Sequence, residues 1–212
     1  MLKINEIFFS VQGESTRVGV PTIFIRTSGC HLRCTYCDTT YAYYDGKKMS
    51  NNDIVEEIKK HPTRYICLTG GEPLLQEASL DLMKQLCDLG YFVSLETSGD
   101  LSCKNVDPRV LKVIDIKTPD SGAPDKFNFE NLNLTDVNSE FKFVICSEKD
   151  FDWSVAFVNE YRLNEKYTVL FSPSHAVISP KWLAEKILQT NLNVRLQLQL
   201  HKYIWSADTR GV

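Results

Sequence analysis

The chain has 212 residues, of which 43% are hydrophobic and 24% charged, proportions that exclude a disordered, fibrous or coiled-coil protein. With 24 Lys+Arg against 27 Asp+Glu, the formal charge of −3 offers no bulk attraction for nucleic acid or an anionic membrane. No apolar run approaches the roughly 18 residues needed to span a bilayer, and the length suits one domain over residues 1–212 with a sizeable core.

In chain order, strand-like stretches fall at 4–11 and 21–27, and Ser50 with Asp53 reads as the capping box of a helix over 51–60. A strand at 64–69 is followed by Gly70-Gly71-Glu72-Pro73 and a helix over 78–89 whose Leu82, Met83, Leu86 and Leu89 share a face, with Gly90 as its stop. Strands follow at 91–96, ending in Glu96-Thr97-Ser98-Gly99, and at 111–116, ending in Asp115-Ile116-Lys117. The polar segment 118–138 reads as a long connection with a short helix. A strand at 140–146 leads to a helix over 151–163 capped by Asp150, with Ser154, Phe157, Val158 and Tyr161 inward. Then come a strand at 167–171, a helix over 180–190 opened by Ser179-Pro180 with Leu183, Ile187 and Leu188 inward, and a strand at 194–200. The repeating strand–helix–strand order and the nearly continuous apolar runs predict an α/β fold with a mostly parallel sheet. The repeats are too few for a closed eight-stranded barrel of about 250 residues, so an incomplete barrel with short N- and C-terminal additions is expected. The unusual polar residues gather at the strand ends, where parallel α/β domains place their active sites.

Seven cysteines are the second conspicuous feature. No leader-like pattern opens the chain, and a core of this size needs no disulfide staples, so a reducing, cytoplasmic setting is expected. Cys30, Cys34 and Cys37 form C-x3-C-x2-C, a spacing that lets one loop present three thiolates to a soft metal centre. Three readings are open: buried packing, a zinc site with His31 as fourth ligand, and an iron–sulfur cluster with one iron left free. Cys67, Cys87 and Cys146 read as packing residues and Cys103 as an exposed loop thiol.

The cysteine motif, with Tyr36 before its last member, and the Gly70–Pro73 motif together resemble the cluster and cofactor motifs of radical S-adenosylmethionine (SAM) enzymes. A narrower resemblance, to the 7-carboxy-7-deazaguanine synthase family, covers nearly the whole chain. It rests on Gln12-Gly13-Glu14 with Gly19, Phe24-Ile25-Arg26, Cys37-Asp38-Thr39, Leu95 to Gly99, Asp115-x-Lys117-Thr118-Pro119, Gln199-Leu200-His201 and Arg210-Gly211-Val212.

The resemblance implies an incomplete radical-SAM barrel and a lyase of queuosine biosynthesis. Hydrogen is abstracted from C6 of 6-carboxy-5,6,7,8-tetrahydropterin, the ring contracts, hydrogen returns, and loss of ammonia gives 7-carboxy-7-deazaguanine. It implies a [4Fe-4S] cluster on Cys30, Cys34 and Cys37 as the catalytic centre, SAM, and Mg2+ on Thr39 with Asp38 acting through water. Gly70, Gly71, Glu72, Glu96, Ser98 and Lys117 would contact SAM, while Gln12, Glu14, Arg26 and His201 would hold the pterin, with Arg26 on its carboxylate. Arg210 and the tail would help close the pocket. Expected partners are the small-molecule pterin, a reductant such as flavodoxin or ferredoxin, and a second copy in a homodimer, with no nucleic acid and no membrane.

Each role has a plainer alternative: an ordinary Gly-Gly turn, a solvated Lys117, a structural ion pair for Arg26, a polar hairpin at Gln12 and Glu14, a surface His201, and turn capping at Asp38-Thr39. The rival functions are a glycyl-radical enzyme activating enzyme and a non-enzymatic zinc-stabilised binding module.

Overall fold

The computed structural model describes residues 1–134, 138–207 and 209–212. Among the described residues nine strands form one open sheet: β1 (Leu2–Val11), β2 (Pro21–Thr27), β3 (Lys47–Met49), β4 (Tyr65–Gly70), β5 (Phe92–Thr97), β6 (Leu111–Asp115), β7 (Ser139–Ile145), β8 (Thr168–Pro173) and β9 (Arg195–Leu196). Their order is β3-β1-β2-β4-β5-β6-β7-β8-β9. From β2 to β9 every pairing is parallel; β1 runs antiparallel to β2 and β3. The expected incomplete, mostly parallel α/β barrel is what forms.

Helices α1 (Asn51–Ile58), α2 (Ala78–Asp88), α3 (Glu148–Tyr161), α4 (Leu163–Lys166) and α5 (Pro180–Leu188) lie in the connections, and α6 (His201–Ile204) follows the last strand. The crossovers from β5 to β6 and from β6 to β7 contain no α-helix among the described residues. No helix among them is long and apolar enough to cross a membrane.

The strands alternate more than their apolar runs suggest. One face carries Ile23, Ile25, Ile66, Leu68, Val93, Leu95, Ile114, Phe141, Phe143, Val169 and Phe171, which join the buried helix residues in one core. The intervening positions, including Phe24, Arg26, Thr69, Glu96, Asp115, Lys142 and Ser172, line the concave side. The core therefore lies between sheet and helices, and the inside of the half-barrel is free for polar groups.

Local chemistry explains the element ends. Ser50 and Asp53 form the reciprocal capping box, and Gly90 takes a φ of 82° after α2. The start of α3 is corrected: Ser147 is its cap, accepting from the Asp150 N–H, and Asp150 sits in the first turn, wholly buried. Its carboxylate accepts from the Thr118 hydroxyl at 3.1 Å and from the amides of Asp120 and Cys146 at 2.9 and 3.0 Å. It thus staples the turn after β6 to the end of β7. In α5, Leu183 is buried as expected but Leu188 is 83% exposed. The expected 194–200 strand shrinks to Arg195–Leu196, and β3 was not anticipated. The 118–138 connection contains 3-10 turns at Pro119–Ser121 and Phe129–Asn133; residues 135–137 of it lie outside the described residues. Cys103 is 1% exposed, not an open loop thiol, because its amide is bound by the buried Asn131.

Candidate active site

A cavity of about 580 Å³ occupies the concave side of the sheet, within the range of small-molecule sites. Strand ends, the loop after β1, the cysteine loop and the C-terminal segment all contribute to its wall.

The cysteine loop leaves β2 at Thr27. Gly71 donates to the Thr27 carbonyl at 3.1 Å and Glu72 donates to that of Gly29 at 2.8 Å, so the loop and the Gly70–Pro73 turn are one unit. A Cβ on Gly71 would meet the Gly29 carbonyl oxygen at 2.0 Å, and one on Gly70 (φ 133°) would meet the Thr27 backbone at 2.3 Å. These glycines are needed by the chain's own close approach. On the other side, Thr35 donates its amide to Ser121 at 2.9 Å and its hydroxyl to Asp120 at 3.0 Å.

Cys30, Cys34 and Cys37 are all free and line the cavity. Burial pushes the thiols of Cys30 and Cys34 up, and the neighbouring cysteines add to this. Three free thiols on one short loop, all facing one cavity, fit a metal centre that takes them as thiolates. His31 does not line the cavity; it pairs with Asp100. That removes the fourth ligand expected for zinc, and among the described residues no three His, Cys, Asp or Glu side chains converge on a single-ion site.

Glu72 does not reach the cavity as expected. Its fully buried carboxylate accepts from the Leu74 amide at 2.9 Å, the Thr97 hydroxyl at 2.9 Å and the amide and hydroxyl of Ser98. It braces the loop after β5 from below, while Gly70, Gly71 and Ser98 form the surface. Glu96 does line the cavity, taking the Thr69 hydroxyl at 3.0 Å. Burial, reinforced by Glu14, pushes its carboxyl up.

Register places Asp115 beside Lys142, and a buried charge chain results. Lys142 holds Glu14 at 2.9 Å and Asp115 at 3.1 Å, and Asp115 holds Lys117 at 2.7 Å. Burial works against the Lys142 and Lys117 ammonium groups, but the carboxylates outweigh it and raise both. Glu14 likewise stays below its ordinary value despite burial, because Lys142 faces it.

Gln12 is buried and accepts the Glu14 amide at 3.1 Å; Gln197 and Gln199 each donate to Glu14 at 3.0 Å. Arg26 donates through Nε to Glu6 at 2.7 Å. Among the described residues its two terminal nitrogens have no protein acceptor, so a planar fork is available inside the cavity. His201 lines the wall at the start of α6, not after a long strand, and burial pushes its imidazole down.

Asp38 and Thr39 line the cavity, with the Thr39 hydroxyl donating to Asp38 at 2.9 Å. Burial would raise the Asp38 carboxyl, but Lys202 at 2.6 Å and Thr39 outweigh it and bring it to about 2. Arg210 lies over the Tyr41 ring, 3.9 Å from its centre, and Gly211 and Val212 also reach the wall.

All the expected site residues but Glu72 therefore meet in one cavity. Lys142 and Lys202 were not singled out, and Asp115 was quoted as part of a strand-end motif without a role of its own. Lys142 carried a signal of its own, a cation between apolar residues of a strand, as Phe141-Lys142-Phe143.

The model of the Radical SAM superfamily matches residues 24–169 of this chain. The chain is 43% identical to 7-carboxy-7-deazaguanine synthase of Chlorobaculum tepidum over 100% of its own length and 97% of the relative's. It is 41% identical to the protein of that name from Koribacter versatilis, over 100% of both. The crystal structure of QueE from Escherichia coli superposes with a TM-score of 0.76 at 23% identity, covering 94% of each chain, a likeness of fold. That of Streptococcus suis SuiB bound to S-adenosylmethionine gives 0.55 at 13% identity, over 80% of this chain and 45% of the other.

Proposed function

The chain belongs to the 7-carboxy-7-deazaguanine synthase family within the radical SAM superfamily, and we propose that its cavity is where 6-carboxy-5,6,7,8-tetrahydropterin becomes 7-carboxy-7-deazaguanine with loss of ammonia. The whole chain, 1–212, is read as one radical SAM domain. The observation that carries the assignment is that three free thiols, the Gly70–Gly71 turn and the Arg26 fork line one and the same cavity.

The three thiols of Cys30, Cys34 and Cys37 on one loop suit a [4Fe-4S] cluster, and the Gly70–Gly71 backbone with Ser98, Glu96 and Lys117 suits SAM. When bound, these groups supply one-electron cleavage of a carbon–sulfur bond and, through it, hydrogen-atom abstraction.

The protein's part is binding and orientation. Arg26, held by Glu6, presents two donors to the pterin carboxylate. Glu14, kept ionised by Lys142, accepts from the pterin's amino and ring N–H groups, and Gln12 reads the same edge. His201, with its imidazole pushed down, is neutral at pH 7 and offers either a donor or an acceptor beside them. Lys117 balances the carboxylate of the amino-acid end of SAM and is positioned by Asp115. His201 and Lys202, with Arg210, Gly211 and Val212 of the tail, wall the cavity and help to keep water out. Mg2+ would suit the hard oxygens of Asp38 and Thr39, of which the Asp38 carboxylate is balanced by Lys202. A flavodoxin or ferredoxin as reductant, a homodimeric assembly and a cytoplasmic setting complete the reading.

Calorimetric titration of the cluster-loaded, SAM-bound protein tests the substrate assignment. 6-Carboxytetrahydropterin should bind at least about tenfold more tightly than tetrahydropterin without the carboxylate, the effect of about 1.4 kcal/mol. Equal affinities would contradict it.

A further inference from the structure

Glu14 sits in the loop after β1, yet its partners come from the other part of the sheet, with β2, β4, β5 and β6 lying between β1 and β7. Lys142 of β7 donates to its Oε2 at 2.9 Å. The Gln197 amide donates to the same oxygen at 3.0 Å and the Gln199 amide to Oε1 at 3.0 Å. A side-chain amide can be turned either way, and the partner at its other end decides which. Gln197 takes the Ser15 N–H on its oxygen at 2.7 Å, and Gln199 takes the Lys202 ammonium on its oxygen at 2.8 Å. Turning either amide would set its nitrogen against a donor. Both are therefore obliged to aim N–H groups at Glu14, and an ammonium has nothing but donors. Glu14 is caged by three groups that can only donate to it.

An ionised carboxylate has about four acceptor positions. Oε2 of Glu14 has two partners and Oε1 has one, so a position on Oε1 remains. Glu14 lines the cavity, and a ligand that reaches this position has to bring a hydrogen. Charge decides whether Glu14 keeps that state. Lys142 touches it, with Asp115 of β6 on the ammonium's other side at 3.1 Å. His201 of α6 also favours the ionised form, and Glu96 of β5 is the carboxyl that repels it. Lys142 outweighs burial and holds Glu14 below its ordinary range.

We propose that Lys142 is a specificity-determining positioning residue: by holding Glu14 as an acceptor, it makes the cavity select a heterocycle whose edge presents N–H donors and reject one that presents a carbonyl there. The proposal rests on the pterin reading above and deepens it. The 2-amino-4-oxo edge of a pterin presents its amino group and the neighbouring ring N–H. A lumazine has the same size and shape, with an oxygen in place of that amino group. Against a caged carboxylate this oxygen would be buried lone pair to lone pair, and no turn of Gln197 or Gln199 could relieve it. Protonated, Glu14 would instead have a hydrogen to give, and the preference would weaken.

The test is calorimetric titration of the cluster-loaded, SAM-bound protein with 6-carboxytetrahydropterin and with its 2-oxo analogue, 6-carboxytetrahydrolumazine. The unaltered protein should favour the pterin at least about a hundredfold, as sites built to bind a particular N–H do. In Lys142→Met that ratio should fall at least about tenfold at neutral pH, because a buried glutamate without its cation titrates as high as about 8–9. Pterin affinity of the variant should then recover as pH rises through that range, while that of the unaltered protein stays within about twofold. Lys142→Gln, which keeps a donor between Glu14 and Asp115 without the charge, should behave as Lys142→Met does. An undiminished ratio in either variant, or a loss of pterin affinity that is the same at every pH, would overturn the proposal. So would equal affinities of the unaltered protein for the two heterocycles, an outcome that needs no variant to fold. Binding of neither would overturn the substrate assignment, and this proposal with it.

Discussion

Arg26 illustrates how a single side chain acquires a function from its neighbours. Glu6 takes its Nε and fixes the plane of the guanidinium, so the remaining donors meet a ligand carboxylate without first being ordered. Arg26→Ala should weaken pterin binding by about tenfold or more, as loss of a charged hydrogen bond of about 1.5–3 kcal/mol does, while leaving SAM binding nearly unchanged. Parallel losses in the two titrations would count against the role. His201 gives a pH-dependent expectation. Burial holds its folded-state pKa below the ordinary 6.5, so the unfolded chain binds more protons than the folded one as pH falls through that value. Stability is therefore lost between 6.5 and the lower folded value, and a His201→Gln variant should lose less of its thermal midpoint over that window than the unaltered protein. Superimposable pH profiles would contradict this. Arg26 was legible in the sequence because a charge in an apolar strand demands a partner. Glu72 was not legible, since a motif fixes neither which side of a loop a carboxylate faces nor that four donors from Leu74, Thr97 and Ser98 will claim it.

The elements that position the site are held together by contacts made after they form. Gly71 packs its α-carbon against the Gly29 carbonyl, so Gly71→Ala has to push the cysteine loop away. Iron bound per chain after reconstitution should fall well below that of the unaltered protein; full iron loading would contradict the account. Asp150 works on the loop's opposite flank, gripping the turn that receives Thr35. Asp150→Asn keeps the volume but places an N–H donor among donors, and should cost about 1–3 kcal/mol in denaturant unfolding. An unchanged midpoint would show that the staple is dispensable. Caps and periodicity announced α1, α2 and α5 because those signals are local. The cap of α3 was misplaced because Ser147 and Asp150 both have capping side chains, and only the buried partners of Asp150 show which of them is occupied elsewhere. β3 and the shortness of β9 are tertiary outcomes: three residues rich in lysine become a strand only because β1 offers an edge, and past β9 one ladder bond remains, from the Gln197 amide to Phe171 at 2.9 Å, while the side chains of Gln197 and Gln199 reach Ser15 and Glu14.

Across the whole molecule, an open sheet is stitched shut by side chains. Its two flanks meet through the loop after β1 and the segment after β9, where Ser15 donates to Gln197 at 2.7 Å and Leu200 to Gly13 at 3.0 Å. The strand count announced an incomplete barrel; the closure lay in residues that no periodicity marks. Because the sheet is complete by Leu196, removal of residues 201–212 should leave the far-ultraviolet circular dichroism nearly unchanged and weaken pterin binding by about tenfold or more, since each lost polar partner is worth about 1 kcal/mol. Collapse of the fold in that variant would contradict this division of labour. The central claim is that one cavity joins a three-thiol metal centre to a pterin-binding wall and performs the ring contraction there. It is tested most directly by anaerobic turnover of the cluster-loaded protein with reductant, SAM, Mg2+ and 6-carboxytetrahydropterin, followed by mass spectrometry and an ammonia assay. The account predicts 7-carboxy-7-deazaguanine and ammonia in equal amounts, abolished in Cys34→Ala; absence of that product, or its undiminished formation by Cys34→Ala, would contradict it.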